Sequence, residues 1–161
     1  MFFSEEIVFL LIYTDGLKYL KENRLSVRAN TPDWYKICEI STRPKGTVID
    51  IELTSAFEYT YNIAKKIFIT YGWTDVSLLE ITKAETYLFD KIRIFYGDTN
   101  SSKVEVLVHY SASVYNTIFA KCNGVGINRM LEAVDISNYN TNYKEFSLGL
   151  SGVYFNDTKI N

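Results

Sequence analysis

The chain has few of the residues on which several common kinds of site and scaffold depend, with two cysteines and one histidine in 161 residues. Two cysteines do not make the disulfide framework of a small secreted domain. Cys38 and Cys122 stand in apolar contexts, so we expect buried, reduced thiols. Any histidine-based catalysis must use His109. Since Glu105 on the same strand face lies too far along the strand to contact it, we expect a structural or surface histidine.

The chain also lacks an excess of charge of either sign. Its 17 basic and 19 acidic residues are scattered along the sequence and give a formal net charge of -2. Phosphate neutralisation requires a concentrated positive field, which this distribution does not provide. We therefore expect no nucleic-acid partner.

No apolar run near the N-terminus is long enough to cross a membrane. Residues 7–13 are apolar, but a membrane helix needs roughly 20 such residues. Glu5 and Glu6 stand where an export signal would carry positive charge, and no cleavage site of small residues follows. We expect that the protein is synthesised in the cytoplasm and does not associate with a membrane. Ser4 and the two glutamates instead predict the start of a buried helix at about Glu5.

The sequence does contain a pattern that occurs twice, 56 positions apart: an alternating strand pair followed by a helix with a polar start. The first copy covers residues 35–71. Its two strands flank a turn with Pro44 and Gly46, whose backbone preferences suit a hairpin. A capping box at residues 55–58 then predicts a helix. The apolar stripe of this helix would be Phe57, Tyr61, Ala64, Phe68 and Tyr71.

The second copy covers residues 91–122 and repeats this order. Strands at 92–96 and 104–110 enclose a polar turn, and Ser111 or Ser113 caps the following helix. The buried side of that helix would hold Tyr115, Ile118, Phe119 and Cys122. The two copies are either an internal duplication or two uses of a common hairpin-plus-helix unit, and both explanations stay open.

These elements together predict an α+β fold in a single domain of residues 1–161. The remaining elements would be a strand at 76–81, short helices at 83–90 and 130–133, a polar loop at 137–143 and a last strand at 146–155. The 47% hydrophobic content is ample for one core. The expected architecture is a mostly antiparallel sheet built from two ββα units, with a buried N-terminal helix and a C-terminal strand that completes the sheet.

Asp50 and Glu52 form the best candidate carboxylate pair. Strand geometry places them on one face, roughly 6 to 7 Å apart, a spacing that suits a divalent metal or a carboxylate mechanism. A nuclease would carry a lysine two residues after the acid, where Thr54 stands, and no third ligand is evident. An alternating strand with a solvated face explains the pair more simply. We expect no catalytic residue, no metal site and no cofactor.

Aromatic residues are the remaining prominent feature, with 13 tyrosines and 10 phenylalanines. Aromatic side chains contribute large contact areas to protein interfaces at low entropic cost. The candidate interface residues are Phe2, Phe3, Tyr139, Tyr143 and Tyr154. AT-biased coding also enriches tyrosine and phenylalanine, so both explanations of the aromatic excess stay open.

These observations favour a non-enzymatic structural or adaptor protein that acts through protein–protein contacts in a larger assembly. Its partner would be another protein, copies of itself included, and a phage virion component is one such role. The first alternative is a small antagonist or immunity-type protein that binds and blocks one partner. The second alternative is a metal-dependent hydrolase that uses Asp50 and Glu52.

Overall fold

The computed structural model describes residues 25–40, 47–57, 60–71, 76–82, 88–96, 103–139, 142–149 and 152–160. Within these residues the chain forms two antiparallel sheets that pack face to face as a β-sandwich. The strands are β1 (Leu25–Ala29), β2 (Asp33–Ile40), β3 (Thr47–Phe57), β4 (Thr60–Tyr71), β5 (Val76–Thr82), β6 (Phe89–Phe95), β7 (Val104–Tyr110), β8 (Asn116–Asn123), β9 (Ile127–Val134), β10 (Tyr143–Ser147), β11 (Gly152–Phe155) and β12 (Thr158–Ile160). A short 3-10 helix spans Ile136–Asn138.

The two sheets contain strands from all parts of the described chain. Sheet A has the order β1-β8-β3-β4-β5-β11-β12, and sheet B has the order β10-β6-β7-β2-β9. Every pairing between neighbouring strands is antiparallel. Since β7 and β8 lie in different sheets, as do β8 and β9, the chain passes between the layers several times and ties them together.

The core follows mainly from the alternation of apolar side chains along the strands. On β3 the residues Ile49, Ile51 and Leu53 are buried, while the residues between them face outward. Strand β7 repeats the pattern with Val104, Val106 and Val108. Inward side chains from both sheets form one continuous hydrophobic cluster. This arrangement is the usual way in which antiparallel sheets bury one face each.

The predicted α+β fold is wrong, because the described residues contain strands where helices were expected. The helix predicted at the end of the first copy is strand β4, and the helix predicted after Ser111 or Ser113 is strand β8. The short helix predicted at residues 130–133 lies within β9. The predicted N-terminal helix lies outside the described residues.

Strand β8 shows why the helical interpretation failed. Its buried positions are Asn116, Ile118, Ala120 and Cys122, a period of two in which a polar and a small residue weaken the apolar signal. Tyr115, expected on a buried helix face, is exposed in the preceding loop. The apolar residues of this segment have helical spacing by coincidence. The buried positions of the strand follow a period of two, but they include Asn116 and the small Ala120.

The strand predictions had mixed outcomes. The hairpin of the second copy is confirmed as the β6–β7 pair, and the strand at residues 76–81 is confirmed as β5. The hairpin of the first copy is wrong, since β2 belongs to sheet B and β3 to sheet A. The single last strand is also wrong, because the chain crosses from β10 in sheet B to β11 in sheet A.

The connection between β9 and β10 runs across the outer face of sheet B. These two strands are the opposite edges of that sheet, four strand spacings or roughly 19 Å apart. On the way, the ring of Tyr139 packs 4.7 Å from that of Phe95, which points outward and is nevertheless buried. The connection therefore covers part of the sheet B face and leaves the remainder open.

Candidate protein-contact surfaces

Strands β10, β6 and β2 of sheet B, with β7 between the last two, build a stack of an arginine between two aromatic rings. The guanidinium carbon of Arg93 on β6 lies 4.5 Å from the ring centroid of Trp34 and 4.6 Å from that of Tyr143. Arg93 Nε also donates to Glu145 Oε2 over 2.6 Å. The two aromatic rings and the ion pair with Glu145 together hold this arginine in one orientation.

The single histidine lies at the end of this stack. His109 Nδ1 is 2.6 Å from Asp90 Oδ1, and its ring centroid is 5.0 Å from that of Trp34. His109 lies on the outer sheet face, with its side chain partly exposed. Its partner comes from the neighbouring strand β6, which is why a search along its own strand missed it. The Asp90 carboxylate fixes the orientation of the imidazole. The imidazole also contacts the Trp34 indole, which is not a nucleophilic group.

A ladder of alternating charges occupies the other half of this face. Lys36 Nζ lies 3.4 Å from Glu39 Oε2 and 3.1 Å from Glu105 Oε1. Lys103 Nζ lies 3.1 Å from the same Glu39 atom and 3.3 Å from the same Glu105 atom. We name these four residues the charge ladder.

The charge ladder shifts the pKa values of its members. Burial alone would raise the pKa of Glu39, but hydrogen bonds and charge interactions with Lys103 and Lys36 together lower it. The hydrogen bond from Lys103 to Glu39 is the main cause that raises the pKa of Lys103. Both groups are therefore held in their charged forms.

Asp50 and Glu52 lie side by side on the outer face of sheet A, as expected from strand alternation. Lys66 Nζ lies 3.7 Å from Asp50 Oδ2, and Lys121 Nζ lies 3.5 Å from Glu52 Oε2. Each carboxylate is thus paired with a lysine of a neighbouring strand. Within the described residues, no group of three histidine, cysteine, aspartate or glutamate side chains could hold a metal ion.

The structure separates the candidate interface tyrosines. Tyr139 and Tyr143 lie together on the outer face of sheet B, where both rings contact Phe95. Tyr154 lies on β11 in sheet A, with its ring packed directly over Gly149. Phe2 and Phe3 lie outside the described residues. Only Tyr139 and Tyr143 therefore share a surface among the residues whose placement is described.

Sheet A carries an exposed apolar surface that sequence analysis did not identify. Strand pairing places Phe155 opposite Leu79, and Val153 opposite both Ile81 and Ile160. Leu79 and Ile81 alternate with the buried residues Leu78, Glu80 and Thr82 and so point outward, and their pairing partners share that face. Together with Phe68, which is paired with Leu79, they form what we name the apolar strip: Phe68, Leu79, Ile81, Val153, Phe155 and Ile160.

The apolar strip is open to solvent on its outermost strands. Ile81, Phe155 and Ile160 retain 45%, 49% and 51% of their exposure. The strip ends at β12, the last strand of sheet A within the described part of the chain, and all three residues of β12 are exposed. The strip was not predictable from the sequence because residues 146–155 resemble one continuous strand, which hides the pairing of β11 with β5.

The inner side of the same sheet end holds a fully buried ion pair. Lys65 Nζ on β4 lies 2.9 Å from Glu80 Oε1 on β5, and neither side chain is exposed. Lys65 also donates to Thr82 Oγ1 and to the carbonyl of Gly149, while the Gly149 amide donates to Glu80. These bonds satisfy both charges and fasten the β10–β11 connection to the inside of sheet A. We name Lys65, Glu80, Thr82 and Gly149 the buried network.

The comparisons with known proteins add no relative. No protein-family model, curated protein or solved structure was found to match the chain. Among the described residues, none lies in a helix of the length and apolar character that membrane crossing requires.

Proposed function

We propose that this chain is a non-enzymatic structural protein that acts through protein–protein contacts in a larger assembly, with further copies of itself as partners. The apolar strip at the β5–β11–β12 end of sheet A is the contact surface in this proposal. Synthesis in the cytoplasm and incorporation into a larger particle are parts of the same proposal.

The observation that carries the proposal is the exposure of a contiguous apolar surface across four strands. Ile81, Phe155 and Ile160 each remain about half exposed, and Ile81 and Ile160 flank Val153 from the two strands on either side of β11. Single exposed apolar residues are ordinary on protein surfaces, whereas a contiguous group of them marks an interaction surface. Burial of such side chains by a partner supplies the main driving force for association.

The adjacent edge of the sheet supports the same proposal. Strand β12 is short, all three of its residues are exposed, and it lies at the end of sheet A in the described residues. Edge strands offer unpaired backbone groups to other chains. Because Lys159 on β12 would face its own copy in a symmetric strand pairing, we favour contact through the face of the apolar strip over extension of the sheet.

The antagonist alternative depended on an exposed acidic surface around Asp50 and Glu52. Since Lys66 and Lys121 pair with these carboxylates, the surface there carries both signs of charge. The metal-dependent hydrolase alternative depended on a third acidic or histidine ligand close to the same pair. The geometry of this face favours neither alternative over assembly.

The native mass of the purified full chain, measured by light scattering across a concentration series, tests the proposal. A discrete oligomer whose population grows with concentration is the expected result. A mass that stays at that of one chain at every concentration would contradict self-assembly.

A further inference from the structure

Strand β2 contains an irregularity that turns an extra side chain into the core. Its pairing with β7 runs from Lys36–Leu107 directly to Cys38–Val106, so Ile37 is an additional residue on β2. Such a bulge interrupts the normal alternation of a strand. As a result Ile37 and Cys38 are neighbours in sequence, and both are fully buried. Strict alternation would have given the two residues opposite faces.

The second cysteine reaches the same place from the opposite sheet. Cys122 is an inward-facing residue of β8 in sheet A, and its Sγ lies 3.6 Å from the carbonyl oxygen of Ile37 in sheet B. Because Ile37 is bonded directly to Cys38, this contact places the Cys122 thiol beside Cys38, and both cysteines are buried in the same core cluster. Two side chains from different layers, 84 positions apart in the sequence, therefore meet inside the sandwich.

We infer that Cys38 and Cys122 are a redox-controlled cross-link site, at which one disulfide joins sheet A to sheet B. The bulge at Ile37 carries this inference, because it directs the Cys38 side chain toward the partner layer. A thiol pair needs short separation and facing side chains to be bridged without backbone movement. The contact of Cys122 Sγ with the Ile37 carbonyl, next to Cys38, and the inward direction of both side chains favour such a bridge.

The reaction is a thiol–disulfide exchange with an external disulfide, for which we take oxidised glutathione. One cysteine thiolate attacks the external disulfide, forms a mixed disulfide and releases one reduced glutathione. The second cysteine then attacks the protein sulfur of the mixed disulfide and releases the other glutathione. The two protein thiols lose two electrons and two protons, and one glutathione disulfide becomes two thiols.

Burial determines when this exchange can occur. The hydrogen bond to Cys122 and burial both raise the pKa of the Cys38 thiol well above its ordinary value. A protonated and inaccessible thiol is a poor nucleophile. Exchange is therefore blocked in the folded chain and proceeds during folding, when the strands have approached but the core is still open.

The test refolds the full chain from urea in two buffers, one with a reduced and oxidised glutathione mixture and one with excess reductant. In the glutathione buffer we expect an intramolecular disulfide, seen as the loss of two hydrogen atoms in the intact mass and of both alkylatable thiols. The melting temperature should be about 10 °C above that of the reduced protein, because a cross-link across so long a loop restricts the unfolded chain.

Two outcomes would overturn the inference. One is a refolded, monomeric protein that keeps two free thiols in the glutathione buffer. The other is an oxidised protein that melts below the reduced one, as a strained bridge would. The matched controls Cys38→Ala and Cys122→Ala should each melt at the same temperature in both buffers, and a difference between buffers in either control would also count against the inference.

Discussion

Lys65 is the residue that departs most from the ordinary composition of a β-sandwich core. Its side chain is fully buried among inward-facing residues of sheet A, and its ammonium group is paired with the equally buried carboxylate of Glu80. Burial lowers the pKa of Lys65, and the adjacent charge of Glu80 opposes that shift. A buried charge that loses its partner is costly, whereas a complete pair with all its hydrogen bonds is tolerated. Each of the two residues therefore depends on the other.

Substitution of one partner tests this dependence. Lys65→Met should lower the free energy of unfolding by about 3–5 kcal/mol, because it leaves the Glu80 carboxylate buried without its cation. Lys65→Met combined with Glu80→Gln should cost less than the sum of the two single substitutions. Urea unfolding of the four proteins measures this coupling. Strict additivity would show that the two charges do not stabilise one another.

The charge ladder predicts a loss of stability in acid. The pKa of Glu39 is lowered from its ordinary value of 4.5, so the folded chain binds this proton less readily than the unfolded chain does. The stabilisation is complete above that ordinary value and is lost as the pH falls through the lowered pKa of the folded state. Unfolding by urea at a series of pH values should show this decrease.

The variant Lys103→Met separates the charge ladder from other acidic groups. It removes one partner of Glu39, so its stability should depend less on pH in the acid range than that of the parent chain. Lys159→Met removes the same charge from β12 and serves as the matched control, with an unchanged pH dependence. Identical acid profiles for Lys103→Met and the parent chain would contradict this account.

Among the elements, the β10–β11 connection is constrained at Gly149 and at Gly152, the first residue of β11. It carries the chain from sheet B to sheet A and is fastened to the buried network at Gly149. A methyl group added at Gly149 would lie 2.1 Å from the ring of Tyr154. Gly152 follows with a φ of 117°, which side-chain-bearing residues rarely adopt. Both glycines are thus required by local geometry.

Gly149→Ala should lower the free energy of unfolding by about 1–3 kcal/mol, since the ring of Tyr154 has to move to admit the methyl group. The paired variant Gly149→Ala with Tyr154→Ala should cost less than the two single substitutions together. Denaturant unfolding of all four proteins is the measurement. If Gly149→Ala were as stable as the parent chain, that result would contradict the close packing of the Tyr154 ring against Gly149.

The strands show how far the sequence predicted the fold and where it stopped. Strands β5, β6 and β7 were predictable because most of their buried positions are apolar and alternate with less buried ones, although β5 also buries Glu80 and Thr82. Strands β4 and β8 were not, because Lys65, Asn116 and Ala120 occupy buried positions. Their β-branched residues were the signal for strands, but a capping pattern and helical spacing outweighed it. Pairing across sheets depends on long-range contacts that local patterns do not contain.

Some individual residues of the candidate surfaces were predictable from the sequence, but their spatial arrangement was not. Tyr139 and Tyr143 were selected as interface residues from their position in a polar, aromatic segment, and the structure places them on one face. Trp34 and Arg93 join Tyr143 through pairing of strands distant in sequence, which no local spacing indicated. The same holds for Phe155 and Ile160 of the apolar strip, since their neighbours depend on the pairing of β11 with β5 and β12.

At the scale of the whole molecule, the two sheet faces have different characters. The outer face of sheet B is occupied by the charge ladder, by the Arg93 stack and by the connection that crosses it, so its groups already satisfy one another. The outer face of sheet A combines paired charges near β3 with the apolar strip near β12. Among the surfaces formed by the described residues, the apolar strip therefore has the most to gain from a partner.

The central claim is that the apolar strip holds copies of this chain together, and light scattering on three proteins tests it most directly. Phe155→Ser combined with Ile160→Ser removes the two most exposed side chains of the strip. Val114→Ser combined with Val125→Ser is the control, because these residues are 54% and 78% exposed in loops elsewhere. We predict that the parent chain and the control associate as the concentration rises. The dissociation constant of the strip variant should be about tenfold higher or more. Equal association of the strip variant and the parent chain, or a parent chain that stays a single chain throughout, would contradict the account.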